Sequence, residues 1–444
     1  MSFMKKSAAA LVLTGVAAAT STALAAGFQL TEQSSLGLGR AYAGAGIVGD
    51  DLSAVHYNPA GMTLLEGTRF QAGTTWIALN ADYNGKDGSS ENGRLKGQMI
   101  PAGYVTHQVN DKIWLGFAMT VPFGMGTEYD KGWAENQRGT DAKIYTFDMN
   151  PNIAWKVSEF LSVGAGVSVQ YAKAKLGMGL KSPELADALQ NDGYLGHGKI
   201  EGDSWDWGYN LGIMISPTDK LRFGLAYRSS IEHDAEGTFK FSDGQNLSTV
   251  PVPGDELPNL AGLNGFVFDM STSIETPDTI MLTSTWEATD QLRLSGLIRW
   301  ANWSDFKELN IKNSIPAGLI AENPAVQQFS EKDVINEWQD TWLFSIGADY
   351  KINDAFTIRG GLAYETSPID DQSTRMAVIP DSDRVWFSLG ASWYPTQDLQ
   401  FDVGATYLMG VGDADLYSEV NGQKVGKYDS LDAYLLGVQM QYRF

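Results

Sequence analysis

Hydrophobic and polar residues alternate along most of the chain after about residue 68. Between Leu161 and Tyr171, the odd-numbered positions are apolar or aromatic, whereas the even-numbered positions are Ser, Gly or Gln. The same alternation recurs at 205–215, 399–407 and 434–444. A period of two residues predicts β-strands whose two faces meet different surroundings. Alternation alone, however, also fits a soluble β-sandwich.

The turns between these strands favour a barrel. Six short polar connectors lie at 110–112, 158–159, 217–220, 288–291, 353–354 and 395–398. The stretches between them are longer, and each holds two strands around a larger loop. Six short turns and seven longer loops separate fourteen strands and put both chain ends on the short-turn side. This arrangement is typical of outer-membrane barrels, so we predict an all-β, 14-stranded antiparallel transmembrane β-barrel.

The first 25 residues have the features of a secretory signal peptide. Lys5 and Lys6 precede an apolar stretch at 8–19, and small residues around Ala25 provide a cleavage site. The chain contains no cysteine, which excludes a lipobox, disulfides and thiol chemistry. We therefore expect an exported protein that is cleaved after Ala25.

Residues 26–67 differ from the strands that follow. They contain a Gly/Ala-rich run at 37–46 and then the turn sequence Asn58-Pro59-Ala60. Fourteen strands enclose more space than their own side chains fill, so a compact segment of this kind can plug the lumen. The predicted organisation is a signal peptide (1–25), a small N-terminal hatch (26–67) and the barrel (68–444). Its long extracellular loops at about 176–202 and 234–276 are expected to form a capture groove.

The amino-acid composition excludes several classes of function. The net charge of −21 argues against binding to nucleic acid, which needs a basic surface. The mean hydropathy is −0.19, and no segment in the body of the chain provides the ~20 apolar residues of a membrane helix. The 13 Trp, 18 Tyr and 19 Phe suit the aromatic girdles of a barrel. The four histidines form no recognisable catalytic or metal-binding constellation, so we expect no enzyme activity, no cofactor and no metal.

Several arginines fall on the predicted lumen face of the strands, among them Arg222, Arg293, Arg359 and Arg384. The lumen of this acidic protein is therefore predicted to be weighted towards arginine. The positive electrostatic potential of such a lumen favours an anionic group on the ligand. Alternatively, the arginines pair with carboxylates of the loops or plug and only hold the interior together.

At several places the sequence resembles the FadL-type long-chain fatty-acid transporters of Gram-negative outer membranes (OmpP1/FadL/TodX). The matching stretches, which span essentially the whole chain after the signal peptide, are 26–30, 37–44, 58–60, 171–175 and 379–386. The resemblance implies a barrel closed by an N-terminal hatch. It also implies that outer loops capture a hydrophobic ligand, pass it to a pocket near the N-terminus and release it sideways through the wall by passive, ligand-gated diffusion.

The resemblance assigns roles to particular residues. Phe28 matches the aromatic residue of the inner ligand pocket, and Asn58, Pro59 and Ala60 match the hatch turn that faces the wall opening. The opening comes from a kink in the third strand, here at Pro122, Phe123 and Gly124. Proline lacks a ladder donor and glycine weakens strand pairing, so a break there has a physical cause; alternatively, Pro122 merely ends the strand. The capture groove is expected to involve Leu185, Leu189, Leu260, Leu263, Phe266 and Phe268, although apolar loop residues usually pack beneath the loop itself.

Met178 and Gln339 stand where some fatty-acid members are expected to carry basic residues. This departure favours a neutral or aromatic substrate, so monoaromatic hydrocarbons are the alternative to fatty acids. A general diffusion porin and an outer-membrane enzyme are further alternatives. The expected partners are the hydrophobic ligand, outer-membrane lipid and lipopolysaccharide, and the barrel-assembly machinery, through the C-terminal Phe444. We expect a monomer that does not bind nucleic acid.

Overall fold

The computed structural model describes residues 26–94, 97–133, 135–181, 193–246, 248, 259–318, 330–417 and 422–444. The predicted signal peptide lies outside the described residues, and so do Leu185 and Leu189 of the predicted capture groove. None of the helices in the described part of the chain is long and apolar enough to cross a membrane.

The described residues form one antiparallel sheet of 22 strand segments. The segments are β1 (Thr68–Gly85), β2 (Ser90–Arg94), β3 (Gln98–Gln108), β4 (Ile113–Thr120), β5 (Gly124–Glu128), β6 (Asp141–Lys156), β7 (Leu161–Lys181), β8 (Tyr194–Thr218), β9 (Leu221–Arg228), β10 (Ile231–Ser242), β11 (Val267–Thr276), β12 (Thr279–Glu287), β13 (Leu292–Ala301), β14 (Glu308–Ser314), β15 (Glu331–Ile335), β16 (Thr341–Asn353), β17 (Phe356–Glu365), β18 (Asp383–Trp393), β19 (Leu399–Val411), β20 (Asp415–Tyr417), β21 (Lys424–Ser430) and β22 (Ala433–Arg443).

These segments make up fourteen barrel strands, because eight barrel strands consist of two consecutive segments each. The third barrel strand, for example, comprises β4 and β5. The sheet closes where β1 pairs with β22, from Arg69 opposite Arg443 to Leu79 opposite Ala433. The prediction of a closed 14-stranded antiparallel barrel is therefore confirmed.

The two faces of the wall differ as the alternation predicts. In β16, the side chains of Phe344 and Ile346 are exposed on the outer surface, whereas Ser345 between them is buried. In β18, Leu389 is 72% exposed and the neighbouring Ser388 is 3% exposed. An apolar outer face and a polar inner face are the pattern of a β-barrel surrounded by lipid.

Residues 26–67, which we call the N-terminal segment, lie against the inner face of the wall and are almost entirely buried. They contain two short α-helices, Ser35–Leu38 and Ala54–Tyr57, and a 3-10 helix, Pro59–Leu64. Glycines on the wall make this close packing possible: a Cβ atom added to Gly404 would lie 2.2 Å from the carbonyl oxygen of Ser35. Further 3-10 helices lie at Asn136–Arg138, Leu260–Leu263, Trp303–Asp305 and Gln372–Thr374.

The interior is not weighted towards arginine. Among the described residues, the buried charged side chains are six arginines and seven carboxylates, namely Arg40, Arg138, Arg299, Arg359, Arg375, Arg384, Glu32, Asp51, Asp148, Asp349, Glu365, Asp381 and Asp402. The prediction of an arginine-weighted lumen is therefore wrong for the buried groups. The physical reason is that a buried cation needs a nearby anion to offset its lost hydration.

Candidate ligand-binding site

The third barrel strand is broken between Thr120, the last residue of β4, and Gly124, the first residue of β5. Pairing between β3 and β4 ends at Gly103 opposite Met119, and beyond the break β5 pairs with β6. Pro122 has no amide proton to donate to a ladder. In the described part of the chain, the ladder between the second and third barrel strands is thus interrupted at this level.

Residues of the N-terminal segment occupy the break. Gln29 and Phe123 form an isolated antiparallel bridge. The amide of Leu30 donates to the carbonyl oxygen of Pro122 at 2.8 Å, and the amide of Gly124 donates to the carbonyl oxygen of Phe28 at 2.9 Å. Backbone groups that the interrupted ladder would leave without partners are therefore satisfied by the N-terminal segment.

An aromatic cluster surrounds Phe28, whose side chain is 2% exposed. Its ring centroid lies 4.7 Å from that of Trp303, 5.9 Å from Phe306, 5.8 Å from Trp338 and 6.0 Å from Phe123. Aromatic rings at such separations stabilise one another beyond simple burial. The cluster is apolar, fully enclosed and directly beside the break in the third strand.

Three members of this cluster, Trp303, Phe306 and Trp338, were not predicted as site residues. They lie in the connection between β13 and β16, in a 3-10 helix and in irregular backbone. Such segments have no periodicity that marks an inward face. The concentration of aromatic residues in a polar connection was the only signal that could have identified them.

A polar network adjoins the aromatic cluster. The amide of Gly27 donates to Oδ2 of Asp381 at 2.9 Å, and Nη2 of Arg384 donates to Oδ1 of the same carboxylate at 2.8 Å. Burial raises the pKa of Asp381 to about 6, against the opposing effect of Arg384. Within the described residues, Nε and Nη1 of Arg384 have no hydrogen-bond partner, and the nearest oxygen of Glu365 is 3.8 Å from Nε. Two donor groups of this guanidinium are therefore left over in the polar network that adjoins the aromatic cluster.

The turn at Asn58, Pro59 and Ala60 packs on a different part of the wall. Nδ2 of Asn58 donates to the carbonyl oxygen of Ile213 at 3.0 Å. A Cβ atom added to Gly212 would lie 2.2 Å from Oδ1 of Asn58. The turn thus lies against β7, β8 and β9. The residues that occupy the break are Phe28–Leu30, and not this turn, which corrects the expectation that the turn faces the opening.

The described residues of the predicted capture groove are mostly covered. Leu260 and Leu263 are buried within their 3-10 helix, and Phe268 is buried and stacks on Phe239 with a centroid distance of 6.2 Å. Phe266 alone of these four is exposed. Three of these four residues therefore pack beneath the loop, as the alternative interpretation has it, and do not line an open groove.

Met178 and Gln339, the two positions where basic residues were expected in some fatty-acid members, lie on different elements. Met178 is a buried residue of β7. The side chain of Gln339 donates to Oδ2 of Asp370 at 2.8 Å.

The four predicted lumen arginines have partners. Arg293 pairs with Glu287 at 2.6 Å and with Asp50 at 3.1 Å, and Arg359 pairs with Asp349 at 3.0 Å. Arg384 pairs with Asp381, as described above. Arg222 donates to the carbonyl oxygen of Val48 at 3.4 Å. The arginines therefore hold the N-terminal segment and the wall together, in line with the pairing alternative.

Comparison with known proteins identifies the family. Residues 16–444 match the family model described as "Outer membrane protein transport protein (OMPP1/FadL/TodX)". The long-chain fatty acid transport protein of Escherichia coli O6:H1 is 29% identical over 451 residues, which cover 97% of each chain.

Two solved structures share the fold. A FadL homologue of Pseudomonas aeruginosa has a TM-score of 0.79 at 23% identity, covering 94% of this chain and 100% of that one. The toluene transporter TbuX of Ralstonia pickettii has a TM-score of 0.68 at 17% identity, covering 94% and 99%. With a family match over nearly the whole sequence and a closed 14-stranded barrel, the chain belongs to the OMPP1/FadL/TodX family of outer-membrane transport proteins.

Proposed function

We propose that the protein takes up long-chain fatty acids across the outer membrane by passive, ligand-gated diffusion. The observation that carries this proposal is the aromatic cluster around Phe28, which adjoins both the strand break and the guanidinium of Arg384. An apolar enclosure with one cationic donor at its edge suits an acyl chain that ends in a carboxylate. The fatty-acid transport activity named for the E. coli relative supports the same class of ligand.

Energetics explain why such a site needs a gate. Each buried CH₂ group contributes roughly 0.8 kcal/mol, so an acyl chain of about a dozen carbons gains on the order of 10 kcal/mol on leaving water. Capture is then favourable and release is the difficult step. The N-terminal segment acts as a hatch whose movement lowers the cost of release.

Lateral release follows from where this hatch contacts the wall. Phe28 contributes to the pocket, while the backbone of Phe28–Leu30 fills the break at Pro122, Phe123 and Gly124. A ligand that displaces Phe28 also withdraws these residues from the break. The ligand then leaves through the wall into lipid without entering water. The turn at Asn58, Pro59 and Ala60 anchors the other part of the hatch to β7–β9.

The outer loops provide capture in this proposal. Phe266 offers an exposed ring, supported by the buried Leu260, Leu263 and Phe268. Leu185 and Leu189 remain predicted members of the same groove. Both lie outside the described residues.

Monoaromatic hydrocarbons are the second candidate substrate. The cluster around Phe28 consists of indole and phenyl rings. One similar structure is that of a toluene transporter. An aromatic hydrocarbon would pack against the rings and would make no ion pair with Arg384.

A paired uptake assay tests the proposal. The gene is expressed in a Gram-negative host that lacks its own fatty-acid transporter, and cells are supplied with radiolabelled oleate or toluene. We expect oleate uptake to rise well above the empty-vector level. Uptake of toluene alone would establish the second candidate. A large, stable ohmic conductance of the purified protein in planar bilayers would instead show a general diffusion porin and contradict the hatch.

A further inference from the structure

Glu32 is a buried carboxyl group of the N-terminal segment that the proposed function does not use. Its side chain is 1% exposed, and it lies shortly after Phe28–Leu30, the residues that occupy the strand break. Among the described residues, Oε2 of Glu32 has no hydrogen-bond partner, and the side chain forms no ion pair. A buried carboxylate without a partner is costly when it is charged, so this position favours the neutral acid.

Two arginines of the wall lie near Glu32, but each contacts a different carboxylate. Nη2 of Arg299 donates to Oε1 of Glu365 at 2.8 Å, and Nη2 of Arg384 donates to Oδ1 of Asp381 at 2.8 Å. The groups of Arg384 that remain unpaired in the described residues make no hydrogen bond to Glu32. The carboxylate of Glu365 repels that of Glu32. Glu32 therefore has no cation in contact, although its neighbours in this cluster do.

Two tyrosines of the N-terminal segment also face Glu32. The hydroxyl of Tyr42 donates to the carbonyl oxygen of Ser34, and the hydroxyl of Tyr57 donates to the carbonyl oxygen of Thr31. Neither hydroxyl proton is therefore available to an ionised Glu32. The protonated form of Glu32 is the one that fits the closed structure.

Protonation of Glu32 is linked to the seating of the N-terminal segment. Burial, together with repulsion from Glu365, raises the pKa of Glu32 from its ordinary value of 4.5 to about 7, against the opposing effects of its own backbone, Arg384 and Arg299. When the segment withdraws, Glu32 returns to water and to its ordinary pKa. Because the pKa is higher in the seated state, the proton stabilises that state. This stabilisation is complete below a pH of 4.5 and is lost as the pH rises to about 7.

We infer that Glu32 makes the seating of Phe28–Leu30 in the strand break dependent on pH. The protonated side chain holds the N-terminal segment against the wall, and ionisation favours withdrawal of the segment from the break. This inference rests on the movable hatch of the proposed function, but it does not depend on the substrate that the barrel carries.

Other titratable groups near the segment also respond to pH. Burial and Arg228 lower the pKa of His56, so protonation of this residue opposes seating at acidic pH. Burial raises the pKa of Asp381 to about 6, against the effect of Arg384, and Arg375 nearby donates to the carbonyl oxygen of Asp381. A comparison of two proteins that differ only at residue 32 cancels these contributions at each pH.

The test measures hydrogen exchange in the full-length barrel in detergent, without added fatty acid. The amides of Leu30 and Gly124 form hydrogen bonds across the break. Their protection, corrected for the intrinsic exchange rate at each pH, reports how often the segment withdraws. Glu32→Gln remains neutral at every pH. Relative to this variant, the protection of the wild type should fall by roughly 70-fold between about pH 5 and about pH 8.

Glu66→Gln is the matched control, because Glu66 is an exposed carboxylate of the same segment. Its protection should follow that of the wild type at every pH. Glu365→Gln removes the repelling carboxylate and frees Arg299 to pair with Glu32, so it should reduce the pH dependence. Heat-modifiable migration in SDS gels confirms that each variant forms a barrel.

Three outcomes would overturn the inference. They are a ratio of wild-type to Glu32→Gln protection that stays constant with pH, an equal response of Glu66→Gln and Glu32→Gln, and an unchanged pH profile in Glu365→Gln. Absence of oleate uptake, combined with pH-dependent protection, would instead overturn the proposed function alone.

Discussion

Gln29 and Phe123 face each other as an antiparallel pair that joins the N-terminal segment to the break in the third barrel strand. The flanking hydrogen bonds run from Leu30 to Pro122 and from Gly124 to Phe28, so the bridged pair itself is of the non-hydrogen-bonded kind. Two residues so paired are close enough to be cross-linked. A cross-link at this contact therefore tests the proposed gating by the N-terminal segment directly.

A disulfide between Gln29→Cys and Phe123→Cys should block uptake. Cα atoms in such a pair are typically about 4.5 Å apart, which a disulfide can span. The protein contains no other cysteine, so the cross-link can form only at this site. We expect oxidised cells to lose oleate uptake and reduced cells to recover it. Each single-cysteine variant is the control, and full uptake by the oxidised double variant would contradict gating by the N-terminal segment.

Replacing Phe28 with Ala should weaken ligand binding. The substitution removes a ring that contacts four other rings, and a loss of about 1.4 kcal/mol or more corresponds to a tenfold or larger rise in Kd. Binding of a fluorescent fatty acid to purified protein measures the change. Phe160→Ala is the matched control, because Phe160 is 54% exposed in a short turn. Wild-type affinity in the Phe28 variant would remove this residue from the pocket.

Arg384 should distinguish the two candidate substrates. A hydrogen bond from a charged donor contributes about 1.5–3 kcal/mol, so Arg384→Gln should lower affinity for oleate by roughly tenfold or more. Affinity for toluene should change little, because toluene has no anionic group. Arg384→Lys keeps the charge beside Asp381 and tests whether loss of the ion pair, rather than of the ligand contact, causes the effect. Equal losses for oleate and toluene would show a structural role only.

Gly212→Ala should displace the Asn58 turn from the wall. The added methyl group would lie 2.2 Å from Oδ1 of Asn58, so the turn has to move. We expect increased ion conductance in planar bilayers and greater sensitivity of the N-terminal segment to protease. Gly360→Ala is the matched control, because its nearest contact is an ordinary 3.6 Å to the side chain of Leu389. Identical conductance of the two variants would show that the turn does not seal the lumen.

Local pattern was enough to predict the barrel. The alternation at 161–171 indicates which side chains face lipid, and the short polar turns indicate where the chain reverses direction. Both signals arise from contacts between each residue and its immediate surroundings. The strand count, the antiparallel order and the start of β1 at Thr68 could therefore be predicted without any long-range contact.

The site itself required the tertiary structure. Phe28 meets Trp303 and Trp338 only because the closed barrel brings irregular connections over the N-terminal segment. Gly27 and Asp381 are 354 residues apart in sequence yet joined by a hydrogen bond of 2.9 Å. Sequence alone determined that this protein is a barrel with a distinct N-terminal segment. The structure decided which residues fill the break, which rings surround Phe28 and which carboxylates pair with the arginines. Such contacts depend on packing across the closed wall and leave no period along the chain.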